Sequence, residues 1–357
     1  MRPIVNLVEP TFDTLEAIER QAEACAHIGS PLYARLLRGI AADYRAGGVS
    51  RTLLEHVSER PQHDAVPLRY VATAHRLALA GKAPELAQHF ASCGGQWDGS
   101  DITPLFLALV EQRHETFVDG LTRQVQTNEV GRATAVVCGL AHVQQRFGLP
   151  LRTLEVGASA GLLSRSPWFY IDTGDCQCGP EDSPLRLGPE WFTAAPAALP
   201  SRLDVVDQAA ADLMPIDIDT DAGKYAVQSF IWPDQTERLD RLRAALSVAT
   251  AHPLHVERSD AGAWLSRHLA TPLPDGLATV VFHTIVWQYL PPWTRNQVRA
   301  TLASVGATAN RHSPLCWLRM EPAAPSHADL RLTVWPGGEE IHLADVGYHG
   351  HDLRWIN

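Results

Sequence analysis

The residues of this chain whose types and spacing favour chemistry lie in the segment LRTLEVGASAGLLS, residues 151–164. An apolar run that contains Glu155 is followed by Gly157-Ala158-Ser159-Ala160-Gly161, here called the glycine loop, and then by an apolar stretch with helical spacing. This order predicts a strand, a tight turn and a helix. Small residues in such a turn either let a ligand approach the backbone or allow a sharp turn that exposes a nucleophilic side chain.

A dinucleotide site is one alternative for the glycine loop. Such a site requires G-x-G-x-x-G, so that backbone amides and a helix N-terminus reach the pyrophosphate. The corresponding positions are Gly157, Ser159 and Leu162, so two of the three glycines are absent. The acidic side chain of Glu155 also suits a pyrophosphate badly. NAD and FAD are therefore disfavoured.

The arrangement Glu155-x-Gly157-x-x-x-Gly161 resembles motif I of class I S-adenosylmethionine-dependent methyltransferases. The resemblance implies that Glu155 helps to hold the methionine end of the cofactor, and that Gly157, Ala158, Ser159 and Gly161 admit it to the backbone. S-adenosylmethionine carries two positive groups against one carboxylate, so an acidic wall suits it. Ser159 departs from the usual central glycine and adds a Cβ where the ligand would pass.

Two further acids match landmarks of the same family. Asp212 in ADLMPID, with Asp204 and Asp217 as alternatives, resembles the second-strand acid that takes the ribose hydroxyls. Asp260 in VERSDAGAWL resembles the acid after the third strand that meets the adenine amino group. Each aspartate is equally well explained as a helix cap.

Methyl transfer requires mainly that acceptor, methyl group and sulfur lie in line, with a base where the acceptor must lose a proton. His283, at the end of a predicted strand in TVVFHTIVW, is the candidate base, and Trp287 and Tyr289 are candidate acceptor walls. The alternative for His283 is a hydrogen-bonded structural histidine.

Polar residues from two other segments are candidates for the same crevice. Asn128, Glu129 and Arg132 precede the helix that leads into the first strand, where they would close over the methionine end or form an interhelical polar cluster. His349 and His351 in YHGHD would line the crevice from the terminal hairpin.

The same residues are consistent with two other functions. The glycine loop also fits G-x-S-x-G, the nucleophile elbow of serine hydrolases, with Ser159 as nucleophile and Asp260 followed by His283 or His349 in the chain. A hydrolase of that fold requires strands upstream of the elbow, and the upstream sequence is helical. The third alternative is a non-catalytic, methyltransferase-like protein that binds a ligand without transferring a methyl group.

The elements that must position these residues change character near Gly148. Residues 1–148 show helical spacing throughout and predict a helical N-terminal domain. Residues 149–357 alternate short β-type runs with helical stretches, which predicts a methyltransferase-like α/β domain with a Rossmann-like open sheet. Two strand-like segments around PGGEE predict a C-terminal antiparallel hairpin at the sheet edge.

Composition narrows the class of protein. The formal net charge of -10 argues against a nucleic-acid-binding surface, which needs a basic face. No window approaches the roughly 18 apolar residues of a membrane span, so we expect a soluble, cytoplasmic protein. The six cysteines are expected to be reduced, and the pair Cys176-x-Cys178 lacks further ligands nearby, so no metal is expected. The predicted partner is a small molecule or a peptide-like acceptor.

The whole chain also resembles the DUF2332 family of uncharacterised actinobacterial proteins. Six segments carry this resemblance: QTNEVGR (126–132), LEVGASAGL (154–162), WPDQTER (232–238), VVFHTIVWQYLP (280–291), WLRMEP (317–322) and LRLTVWPGG (330–338). The resemblance implies a methyltransferase-like fold and brings no established activity. The acceptor and the oligomeric state do not follow from the sequence.

Overall fold

The computed structural model describes residues 13–324 and 326–356. The chain forms two compact units. Unit 1 comprises the residues up to Thr127 together with Thr220–Asp240, and unit 2 comprises Asn128–Asp219 and the residues from Arg241 onward. The predicted boundary between residues 148 and 149 falls inside unit 2, because the helix that precedes it packs on the sheet of that unit.

The α-helices of the described residues are, in chain order, α1 (Thr14–His27), α2 (Pro31–Arg45), α3 (Val49–Leu54), α4 (Val66–Leu79), α5 (Pro84–Ala87), α6 (Thr103–Gln112), α7 (His114–Thr122), α8 (Ala133–Phe147), α9 (Asp221–Ser229), α10 (Thr236–Ala251), α11 (Ala261–His268) and α12 (Pro292–Gly306). No strand occurs between residues 13 and 150, in agreement with the helical spacing of that part of the sequence.

Local signals in unit 1 explain where its helices begin and why they pack. Helix α1 opens with a capping box, in which Asp13 accepts the N–H of Glu16 and the Glu16 carboxylate accepts the N–H of Asp13. The core contains Tyr70, Phe106 and Phe117, whose rings meet edge to face with centroids 5.0–5.9 Å apart. Unit 1 is thus a helical assembly around its own apolar core.

The strands all lie in unit 2: β1 (Leu151–Val156), β2 (Tyr170–Asp172), β3 (Gln177–Cys178), β4 (Arg186–Leu187), β5 (Phe192–Ala194), β6 (Val205–Asp212), β7 (Val256–Arg258), β8 (Ala278–Thr284), β9 (Leu315–Ala324), β10 (His327–Trp335), β11 (Glu339–Val346) and β12 (Leu353–Trp355). They form a nine-stranded sheet in the order β5-β12-β11-β10-β9-β8-β1-β6-β7 and a small sheet in the order β3-β2-β4.

Five neighbouring strands of the large sheet, β7, β6, β1, β8 and β9, are parallel to one another. Numbered among themselves in chain order, they lie in the order 3-2-1-4-5. The winding therefore reverses between β1 and β8, which makes this point a topological switch. The prediction of a mixed α/β fold with a large, mostly parallel sheet is confirmed.

The other end of the sheet is antiparallel, from β9 through β10 and β11 to β12. Strands β10 and β11 are the two segments that flank PGGEE, and they pair as the predicted antiparallel hairpin. Helices cover both faces of the sheet. Gly139 of α8 faces Leu318 of β9 on one side, and Trp317 belongs with α11 and α12 to the apolar core on the other.

The segment after the glycine loop differs from the prediction. In place of an α-helix it forms a six-residue 3₁₀-helix, Leu163–Trp168. Pro167 has no N–H to continue a helix. The side chains of Ser164 and Arg165 also bond back to β1 and to the loop carbonyls. The glycine loop therefore has no long helix behind it.

No helix among the described residues has the length and apolarity that crossing a membrane requires.

Candidate functional site

The candidate site lies at the carboxyl ends of β1, β6 and β8, next to the switch point, where open α/β sheets bind ligands. The glycine loop leaves β1 here. Three of its residues, Gly157, Ser159 and Gly161, have positive φ values of 70°, 53° and 69°. This backbone conformation favours glycine and is uncommon for serine.

The space that the two glycines leave is occupied by side chains of the same unit. A Cβ on Gly157 would lie 2.6 Å from both methyl groups of Val286. A Cβ on Gly161 would lie 2.9 Å from a methyl group of Val256 and 3.0 Å from the guanidinium of Arg165. The absence of side chains at these positions therefore makes room for packing within unit 2.

The backbone N–H groups of the glycine loop are also engaged. The N–H groups of Gly157 and Ala158 donate to the carbonyl of Ala211, at 2.8 and 3.0 Å. The N–H of Gly161 donates to the carbonyl of Ala158 at 2.7 Å. The N–H of residue 159 donates to Asp212 Oδ2 at 2.8 Å, and that of residue 160 to Asn128 Oδ1 at 3.1 Å. All five amides thus have a partner inside unit 2.

Ser159 lies at the centre of this arrangement. Its side chain is nearly buried, and Asn128 Nδ2 donates to its hydroxyl at 2.9 Å. Among the described residues, the side chain that reaches the Ser159 hydroxyl is therefore an amide and not an imidazole. The structure does bring Asn128, Ser159 and Asp212 together, as the sequence predicts for one site.

Glu155 faces the 3₁₀-helix and is only 4% exposed. The Ser164 hydroxyl donates to its Oε2. Burial raises the pKa of Glu155 to about 7, and the negative charge of Asp212 adds to the effect, while the Ser164 hydrogen bonds and Arg165 oppose it. Near neutral pH the Glu155 carboxyl group is therefore present in both its protonated and its ionised form.

The two other predicted acids bind backbone groups. Asp212 accepts the N–H of Ser159 and, through Oδ1, the N–H of Met214 at 2.8 Å. Asp260 caps α11 through Oδ1, and its Oδ2 accepts the hydroxyl of Thr294 at 2.8 Å. Asp260 therefore has the capping role that the sequence left as its alternative, whereas Asp212 borders the glycine loop.

His283 lies in a buried group of aromatic residues. Its Nδ1 lies 2.5 Å from Glu321 Oε1, and the indole N–H of Trp317 donates to its Nε2 at 3.1 Å. Because an indole nitrogen only donates, Nε2 is the acceptor and the proton lies on Nδ1. Trp287 stacks on the imidazole at 5.4 Å between ring centroids. Tyr289 is 62% exposed.

Val286 connects this aromatic group to the glycine loop, since its side chain covers Gly157 and its N–H donates to Glu321 Oε1 at 3.0 Å.

The polar residues before α8 meet the segment after β11. Glu129 is buried, and its Oε2 lies 2.9 Å from His349 Nδ1. Arg132 donates from Nε to the carbonyl of Tyr348 at 2.9 Å, and from Nη1 to the carbonyl of Thr284 at 3.4 Å. These contacts tie the 128–132 segment to the end of β8 and to the terminal loop, and not to a second helix.

A cavity of about 140 Å³ opens beside His283, at the carboxyl ends of β8 and β9. We call it the tryptophan cavity, and its lining is Trp287, Arg299, Trp317, Arg319, Glu321, Pro322, Ala323, Asp329 and Arg331. Of these residues, sequence reasoning named Trp287. The signal for the others was the alternation in WLRMEP, which places Trp317, Arg319 and Glu321 on one face of a strand.

The tryptophan cavity has cationic walls. The Arg299 guanidinium lies over the Trp287 ring at 4.8 Å, and that of Arg319 lies over the Trp317 ring at 4.1 Å. Arg319 is paired with Glu340, whereas Arg299 has no carboxylate partner among the described residues. Burial, and then the positive charges of Arg295 and Arg319, lower the pKa of Arg299.

Comparison with known proteins gives one family and one partial similarity. The family model described as "Uncharacterized protein conserved in bacteria (DUF2332)" matches residues 15–355. The chain is also similar to the thiamine-phosphate synthase of Koribacter versatilis (strain Ellin345), with 29% identity over 153 residues, which is 42% of this chain and 68% of the synthase. No solved structure matches.

Proposed function

Because the chain belongs to the DUF2332 family, whose description names no chemistry, we propose a function from the geometry of unit 2. The protein binds a small planar organic anion in the tryptophan cavity, on a methyltransferase-like sheet, without transferring a methyl group. The observation that carries this proposal is the Arg299 guanidinium, which lies over Trp287 in a cavity wall and lacks a carboxylate partner among the described residues.

The strand order supports the methyltransferase-like part of the proposal. The order 3-2-1-4-5 of the parallel strands is that of a doubly wound, Rossmann-like sheet. The cavity lies beyond the carboxyl end of β8, where residues of β9 and β10 line it. The landmarks found in the sequence occupy the places where a class I methyltransferase would carry them: Glu155 is on β1, the glycine loop directly follows β1, and Asp212 ends β6.

S-adenosylmethionine, which this resemblance implies, does not fit the loop. The five loop amides have partners in unit 2, and Val286 and Val256 fill the space beside Gly157 and Gly161. The 3₁₀-helix after the loop supplies no long helix N-terminus. Binding of this cofactor remains a prediction of the sequence, and no step of our proposal uses it.

The candidate catalytic groups also support binding over catalysis. The lone pair of His283 Nε2 accepts the indole N–H of Trp317, so this nitrogen is occupied and cannot act as a base without breaking that bond. For a hydrolase, Ser159 would need an imidazole, whereas its hydroxyl meets the Asn128 amide. The N–H of Ala160, which would serve an oxyanion hole, donates to the same Asn128.

Size and charge define the ligand class. A cavity of about 140 Å³ matches the roughly 150 Å³ that accommodates a benzene ring in a protein interior. Two indole rings in the wall favour stacking on a planar ligand. Arg319 is paired with Glu340, and Arg331 with Asp329 and Glu340, whereas Arg299 has no carboxylate partner among the described residues, so one negative charge on the ligand beside Arg299 is favoured. An aromatic carboxylate of benzoate size meets these conditions.

The test is a titration of the full chain with benzoate, followed by tryptophan fluorescence and calorimetry. We expect saturable binding that is at least 10-fold weaker in Arg299→Ala and unchanged in Arg311→Ala, which removes an exposed arginine outside the cavity. Absence of saturable binding, or equal binding by the Arg299→Ala variant, would overturn the proposal.

A parallel titration with S-adenosylhomocysteine separates the two functions. We expect no binding. Saturable binding that is lost in Asp212→Asn would contradict our proposal and favour the methyltransferase that the sequence predicts.

A further inference from the structure

Four metal-ligating side chains converge on one face of the antiparallel part of the sheet. His327 and Asp329 come from β10, and His342 and Asp345 come from β11. Ligand atoms of His327, Asp329 and Asp345 all lie within 4.8 Å of one another. We propose that this cluster binds one divalent transition-metal ion of the Zn²⁺ class through these three residues, with His342 at the fourth position.

A β-bulge creates the cluster. His327 and Asp329 are two residues apart on β10 and so share a face. His342 and Asp345 are three residues apart and would lie on opposite faces of a regular strand. The register of the two strands shifts between Leu330 and Arg331, so that Asp329 pairs with Asp345 and Arg331 with His342. The extra residue in β11 therefore brings His342 and Asp345 to the same face.

The separations between the ligand atoms fit a tetrahedral ion. With metal–ligand bonds of about 2.0–2.1 Å, the edges of a tetrahedron are about 3.3–3.4 Å long. His342 Nε2 lies 3.0 Å from Asp345 Oδ1 and 3.6 Å from Asp329 Oδ1. His327 Nε2 lies 3.7 Å from the same Oδ1 of Asp329. Each of these three separations is within about 0.4 Å of a tetrahedral edge, and the ligand atoms of His327 and Asp345 lie within 4.8 Å of each other. Metal binding therefore requires the side chains to move closer together, and His342 Nε2 must give up its contact with the Ala344 carbonyl, which lies 3.1 Å away.

Both carboxylates present one oxygen to the cluster and give the other to an arginine. Arg331 donates to Asp329 Oδ2 at 2.9 and 2.7 Å, and Arg354 donates to Asp345 Oδ2. Each Oδ1 faces the histidines. Such outer hydrogen bonds orient metal ligands. They also leave each carboxylate monodentate, which disfavours Ca²⁺ with its six to eight oxygens and favours a nitrogen-binding transition metal.

Solvent can reach the cluster, because the side chains of His327 and His342 are 37% and 32% exposed, while those of Asp329 and Asp345 are 13% and 20% exposed. A metal ion therefore has an open path to partly buried carboxylates.

The proposal does not depend on the anion site, although Asp329 also borders the tryptophan cavity. The test starts from the full chain, freed of metal with a chelator, and titrates it with ZnCl₂ in a calorimeter. We expect one equivalent to bind to the wild type, and CaCl₂ and MgCl₂ to give no saturable heat. The Arg299→Ala variant should bind Zn²⁺ as the wild type does.

Two ligand variants and two controls decide the assignment. His327→Ala and Asp345→Asn should each weaken Zn²⁺ binding 10-fold or more. His312→Ala, an exposed histidine elsewhere, and Cys176→Ser, which removes a thiol, should bind as the wild type does. Without metal, each ligand variant should unfold cooperatively near the wild-type midpoint, which excludes misfolding as the cause, and Zn²⁺ should raise the midpoint of the wild type only. No stoichiometric uptake, uptake retained by both ligand variants, or uptake lost in Cys176→Ser would overturn the proposal.

Discussion

Replacement of Glu155 by glutamine should change how the stability of unit 2 depends on pH. Burial raises the pKa of Glu155 from 4.5 to about 7. Between these values the folded state retains a proton that the unfolded chain has lost, so the free energy of unfolding falls as the pH rises from 4.5 to 7. A difference of about 2.5 pKa units corresponds to about 3 kcal/mol, which is present below pH 4.5 and lost above pH 7.

Glu155→Gln removes this titration while it keeps the shape of the side chain and a carbonyl oxygen for the Ser164 hydroxyl. The changed hydrogen bond costs about 1 kcal/mol. At pH 8 the variant should therefore be more stable than the wild type by about 2 kcal/mol. At pH 4.5 it should be equal or about 1 kcal/mol less stable.

Urea unfolding between pH 4.5 and 8, followed by tryptophan fluorescence, measures this difference. Of the ten tryptophans, Trp97 and Trp232 lie in unit 1, which leaves eight to report on unit 2. Glu181→Gln, which removes an exposed carboxylate, should keep the pH dependence of the wild type. If Glu155→Gln keeps it too, or is the less stable protein at pH 8, the argument from burial is refuted.

Three further substitutions test the contacts that hold the site. Asp212→Asn replaces the carboxylate that accepts two backbone N–H groups, so the free energy of unfolding should fall by about 1–3 kcal/mol. The amide hydrogen of Met214 should also exchange faster with deuterium. Asp260→Ala should lower stability by about 1–2 kcal/mol in urea titrations, because α11 loses its cap. Gly157→Ala should cost about 2–4 kcal/mol, since φ is 70° and the new Cβ meets Val286; Val286→Ala in the same chain should recover part of this loss, and purely additive effects would contradict the packing.

The fold was largely predictable because its signals are local. The helical spacing before Gly148 identifies helices α1, α2, α4, α6, α7 and α8, and the short β-type runs after it identify strands β1, β6, β7, β8 and β9. The PGGEE turn predicts the β10–β11 hairpin. The 3₁₀-helix after the glycine loop differs from the prediction, because the apolar spacing of that segment is that of an α-helix whereas Pro167 cannot continue one.

The candidate site was harder to predict, because side-chain partners come from distant segments. Val286 fills the space beside Gly157, although the two residues are 129 positions apart in the chain. A run of small residues does not indicate whether a ligand or a side chain fills that space. The same limit applies to His283, whose nitrogens meet Glu321 and Trp317 of a neighbouring strand. Composition identified the acids and the histidine, and the register of the strands decides what they bind.

Register also explains why the sequence suggested no metal. His342 and Asp345 are separated by three residues, which on a regular strand places them on opposite faces, so the pattern HLAD argues against a shared site. Only the bulge opposite Leu330 and Arg331 reverses that conclusion. The bulge leaves no signature in the residue types, because its extra residue, Leu343, is an ordinary strand-forming residue that is fully buried. A shift of one residue in the strand register therefore decides whether these four side chains lie on one face of the sheet. Metal titration then distinguishes a metal site from a surface cluster of ion pairs.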